Sequence, residues 1–70
     1  MKLKIYKNKS LGIYKVGNYK IGDEVLLKNK DILRIVGFRE EEGGMMVDGY
    51  YSSDDCGGSE DFNNIVSLYN

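Results

Sequence analysis

Seventy residues, 41% apolar and 30% charged with a net charge of −1, suffice for one folded core and no more, because so short a chain buries only about 60% of its unfolded surface. That composition excludes a disordered tail and gives a single domain over residues 1–70. The lone cysteine, Cys56, excludes an internal disulfide, and no apolar run approaches the ~20 residues of a membrane span.

In chain order, Lys2 to Lys7 reads as a first strand with Leu3 and Ile5 on one face and Lys2, Lys4 and Tyr6 on the other. A turn at Asn8-Lys9-Ser10 leads to a second strand, Gly12 to Val16, ended by Gly17-Asn18. Tyr19 to Asp23 leads into a strand over Glu24 to Lys28, and Asn29-Lys30-Asp31 turns into the longest strand, Ile32 to Glu41. Gly37 interrupts that strand, where a bulge or bend is expected. After a turn at Glu42-Gly43-Gly44, Met45 to Tyr51 alternates, with Met45, Val47 and Gly49 on one face and Met46, Asp48 and Tyr50 on the other.

Ser52 to Asp61 reads as a long polar loop of the kind that carries function. Phe62, Ile65, Val66 and Tyr69 have helical spacing, with Ser59 as a possible cap, yet the window is short and Ile65 to Tyr69 is β-prone. One turn of 3₁₀ helix at Phe62 to Asn64, followed by a short strand, is the expectation.

Five or six short strands with tight turns predict an all-β domain, a small barrel that is closed or partly open. The segments Tyr19-Lys20-Ile21-Gly22-Asp23-Glu24-Val25, Ile32 to Phe38, Met45-Met46-Val47 and Phe62 to Leu68 resemble an SH3-like small β-barrel. In that group Gly-Asp-x-Val opens the first barrel strand and a 3₁₀ turn precedes the last. Where members with a KOW motif carry a glycine after the first strand, this chain has Asn29-Lys30-Asp31, and no aromatic groove for proline-rich ligands maps onto it. The resemblance therefore implies a fold and no ligand class. Buried area and chain entropy nearly cancel at this size, so barrel closure, a partner or a homodimer is expected to add support.

The residue types argue against an enzyme. Histidine is absent, which removes the usual general base and the commonest zinc ligand. Asp54 and Asp55 beside Cys56 oppose its ionisation to a thiolate. The carboxylates lack calcium-loop spacing, and Gly43-Gly44 and Gly57-Gly58 lack the Lys-Ser/Thr of a phosphate loop. No metal or cofactor is expected.

Charge is unevenly distributed. All ten basic residues lie between Lys2 and Arg39, opposed there by Asp23, Glu24 and Asp31, whereas residues 40–70 hold eight acids and no base. The halves can neutralise each other across strands or form separate faces. The first expectation is a protein-binding or inhibitor module of bacterial or phage type, with an acidic-aromatic surface of Met46, Asp48, Tyr50, Tyr51, Asp54, Asp55, Glu60 and Asp61. Such surfaces suit basic partners, and carboxylates can imitate a phosphate row. The alternative is a nucleic-acid face of Lys2, Lys4, Tyr6, Lys7, Tyr14, Lys15, Tyr19 and Lys20, in which rings stack on bases and lysines meet phosphates. A cytoplasmic location without membrane contact is expected, since Met1-Lys2-Leu3-Lys4 leads into no signal-peptide core.

Overall fold

A computed structural model describes residues 3–69. Eight strands run in the order β1 (Ile5–Asn8), β2 (Gly12–Val16), β3 (Tyr19–Lys20), β4 (Glu24–Leu27), β5 (Ile32–Glu41), β6 (Gly44–Tyr51), β7 (Gly57–Asp61) and β8 (Ile65–Leu68), with one 3₁₀ turn at Phe62–Asn64 before β8. They form two antiparallel sheets, ordered β1-β2-β3 and β7-β6-β5-β4-β8. The all-β expectation holds, but with eight strands rather than five or six. The larger sheet does not close, since β7 and β8 remain its edges. Among the described residues no helix is long and apolar enough to cross a membrane.

Local chemistry explains the boundaries. Asn29 Oδ1 accepts the Asp31 N–H at 2.9 Å, and Lys30 takes a left-handed φ of 73°, which together fold the β4–β5 turn. The β5–β6 register slips between Ile35 and Gly37, so Val36 is the extra residue of a bulge. That slip shifts the side-chain phase. Leu33 and Ile35 face the core two residues apart, and Phe38 rejoins them only because one residue has been added.

The buried core is Val16, Val25, Leu27, Leu33, Ile35, Phe38, Met45 and Val47, flanked by half-buried Ile5, Ile13, Tyr19, Ile21, Tyr51, Phe62 and Ile65. Val16 from β2 and Tyr19 from β3, whose ring meets Phe62 edge-on at 5.7 Å, lay the small sheet against the large one. Burying these apolar side chains is the main favourable contribution to folding, about 1.5–3 kcal/mol for each one fully removed from water.

Three expectations at the element level change. The first strand begins at Ile5; Lys2 lies outside the described residues, and Leu3 stays exposed. The expected loop over residues 52–61 shrinks to 52–56, because Gly57–Asp61 pairs with β6 as β7. The 3₁₀ turn forms where expected, capped by Asp61, which accepts the Asn63 N–H at 2.9 Å, and the longer helix that Ser59 would have capped does not form.

Candidate functional site

The β1–β2 hairpin carries a bulge of its own. Tyr6 pairs with Lys15 and Lys7 with Ile13, so Tyr14 is the added residue. Ile13 and Val16, three positions apart, both reach the core, and the two residues between them gather at Tyr6. The Tyr6 and Tyr14 ring centres lie 6.2 Å apart at 48°. Lys15 Nζ stands 5.1 Å and Lys4 Nζ 5.4 Å from the Tyr6 ring centre, within reach of cation–π attraction.

The other described residues of the expected basic face have partners elsewhere. Lys7 pairs with Glu40 at 3.2 Å, and half-buried Tyr19 packs against the core. Lys20 pairs with Asp23 at 2.8 Å. Burial works to raise the Asp23 pKa, but the Lys20 ammonium and the Lys20 backbone N–H hold that carboxyl below its usual range. Among the described residues of that face, Lys4, Tyr6, Tyr14 and Lys15 are the four that come together.

Charge divides along the boundary between the sheets. Residues 1–22 contain six lysines and no acid, whereas residues 23–70 contain four bases and all eleven acids. The small sheet ends at Lys20 and the large one begins at Glu24, so six bases of the basic half precede the large sheet while Lys28, Lys30, Arg34 and Arg39 fall within its span beside the acids, and the asymmetry divided at residue 40 carries over to the sheets only in part. Lys7–Glu40 and Lys20–Asp23 link the two regions at their border.

The acidic-aromatic set is divided by its own sheet. Met46, Asp48 and Tyr50 lie on the opposite side of β6 from buried Met45, Val47 and Gly49, and Asp61 pairs beside Met46. Asp48 accepts from Arg39 Nε at 2.8 Å and Nη2 at 3.1 Å, and from the Ser59 hydroxyl. Hydrogen bonding by Arg39 holds the Asp48 carboxyl below the usual carboxylate range, and Asp48 in turn raises the Arg39 pKa. Arg39 also pairs with Glu41 at 2.8 Å.

Tyr51 and Glu60 occupy the core side instead. The Tyr51 hydroxyl donates to Glu60, and Asn64 Nδ2 donates to the same carboxylate at 3.0 Å. The bond to Glu60, followed by burial and the nearby charges of Glu60, Asp31 and Asp54, pushes the Tyr51 hydroxyl up to about 12. Asp54 accepts the Cys56 N–H at 3.1 Å, and exposed Asp55 turns the loop with a left-handed φ of 58°.

Arg39 and Asn64 are not among the site residues the sequence suggests, and Ser59 is expected there only as a helix cap. Arg39 and Asp48 flank the Glu42-Gly43-Gly44 turn, so the register that this turn sets, with Arg39 opposite Met46 and Gly37 opposite Asp48, brings them together. A pocket of about 120 Å³ lined by Leu27, Lys28, Asn29, Glu60 and Asn64 is well below the ~300 Å³ at which small-molecule sites begin. Among the described residues no group of three or more His, Cys, Asp or Glu side chains is arranged to hold a metal. None of the protein-family models, curated proteins or solved structures compared with this chain matches it.

Proposed function

We propose that this protein is a non-catalytic nucleic-acid-binding module whose contact surface is the Lys4–Tyr6–Tyr14–Lys15 face of the small sheet. The observation that carries the reading is the β1–β2 bulge, which collects two ammonium groups and two aromatic rings in a region whose sequence contains no acid. Lysines neutralise phosphates, and a tyrosine ring can offer a flat apolar surface to a base. A near-zero net charge is compatible with this because the opposing acids sit on the other sheet.

The acidic-aromatic reading has weaker support. Asp48, Asp54, Glu60 and Asp61 each already accept a hydrogen bond within the fold, and displacing those bonds would offset the gain from a basic partner. An SH3-like framework is the finer reading of the fold. It is supported by the strand that follows Gly22-Asp23, which pairs with β8 on one side and β5 on the other, and by the 3₁₀ turn directly before β8. An exposed free cysteine fits a reducing cytoplasm.

Fluorescence anisotropy with labelled DNA and RNA of about 12 nucleotides at low salt tests the assignment. Saturable binding that weakens at least tenfold in the Lys4→Glu/Lys15→Glu double variant is expected. Binding that ignores the double reversal, or no binding at all, would leave the acidic surface and a protein partner as the better reading.

A further inference from the structure

Tyr6 and Tyr14 are chemically alike but differently placed. Two ammonium groups lie within 5.4 Å of the Tyr6 ring centre, so that ring is occupied in holding them. Among the described residues no ammonium stands over the Tyr14 ring, whose aromatic neighbour is Tyr6. Tyr14 is fixed at its backbone, where its carbonyl accepts the Ile21 N–H at 3.1 Å. One ring is therefore engaged with cations, and the other, half-buried, stands beside them without one.

The surroundings limit what such a site can grip. Duplex DNA presents one charge per ~1.7 Å of axis and buries its base faces in the stack, so duplex readers need an extended track of cations or access to a groove. Here two lysines converge on a single ring; of the other described lysines before Glu24, Lys7 and Lys20 are paired with Glu40 and Asp23, and Lys9 lies apart in the β1–β2 turn. Beyond them lies the acidic sheet, which would repel a second strand.

Resting on the nucleic-acid reading of this face, we propose that its ligand is an unpaired strand, with a base stacked on Tyr14 and neighbouring phosphates held by Lys4 and Lys15. Tyr6 is a positioning residue. It orients the two ammonium groups and does not itself stack on a base.

The experiment compares a labelled single strand of about 12 thymidines with a duplex of equal length, across a salt series. The single strand is expected to bind about tenfold tighter than the duplex, with a log–log salt slope near −1.4 for two phosphate contacts at about 0.7 each. Tyr14→Leu should weaken binding about tenfold while leaving that slope unchanged, as loss of stacking does. Tyr14→Trp should keep tight binding, and because the chain contains no tryptophan, the new indole should be quenched as the strand is added. Tyr6→Phe should bind like the parent and Tyr6→Leu more weakly, with circular dichroism confirming that each variant folds. Duplex binding as tight as single-strand binding, still dependent on Lys4 and Lys15, overturns this inference and leaves the broader assignment standing. Failure of the parent to bind either form removes both. An unquenched indole, or a folded Tyr14→Leu variant with parental affinity, removes the stacking role.

Discussion

A methyl group built on Gly49 would lie 2.1 Å from the carbonyl oxygen of Arg34 and 3.0 Å from the Leu33 side chain. Backbone at that distance cannot step aside without parting β5 from β6. Gly49→Ala is therefore expected to cost about 1–3 kcal/mol or more, while Gly43→Ala, whose added carbon meets nothing within 4 Å, should stay within about 0.5 kcal/mol. Urea unfolding midpoints distinguish the two. Opposite Gly49, Gly58 leaves room for the Tyr51 ring, which an added carbon would approach to 2.5 Å. That space lets the Tyr51 hydroxyl reach Glu60. Because the folded pKa is raised from 10.0 to about 12, this bond contributes fully below the unfolded value and is lost as pH rises through the folded one. Stability should accordingly fall between pH 10 and 12, and Tyr51→Phe should flatten that decline and remove a component near 12 from the tyrosinate absorbance titration. The alternation of Met45 to Tyr51 made the buried face of β6 legible in advance. The Tyr51–Glu60 bond was not legible, because it depends on the register of a strand the sequence does not advertise.

That strand is β7, with the sequence Gly-Gly-Ser-Glu-Asp. Every one of its residue types is neutral or poor in intrinsic strand preference, so a loop was the natural expectation. It pairs because β6 offers a long neighbour and because Arg39, reaching over Asp48 to the Ser59 hydroxyl at 3.0 Å, ties β5, β6 and β7 together on their outer side. Tertiary contact here overrides local preference. The β5 bulge is the opposite case, since Gly37 within an apolar run announced an irregularity and the structure places one there. Deleting Val36 should restore simple alternation and turn Phe38 toward water. We expect the deletion variant to lose its cooperative thermal transition, whereas Val36→Thr, at an exposed site, should unfold much like the parent. The 3₁₀ turn and β8 were readable because an apolar spacing too short for a stable helix was followed by a β-prone run.

At the scale of the molecule, the sequence showed that charge was uneven but not where it would go. Neutralisation across paired strands and segregation onto two sheets are both consistent with a basic first half and an acidic second half. The choice depends on which strands pair, and the outcome is divided: β1, β2 and β3 pair among themselves, whereas Arg39 on β5 neutralises Asp48 on the neighbouring β6. Stacking two sheets of opposite sign within a Cα radius of gyration of 11.3 Å gives the protein a dipole that its isoelectric point of about 5.3 does not reveal. In the field of a polyanion such a body experiences a torque before it experiences net attraction. Were the lysine sheet the contact surface, that torque would present it first and turn the carboxylates away. Raising the ionic strength would weaken that alignment along with the contacts themselves.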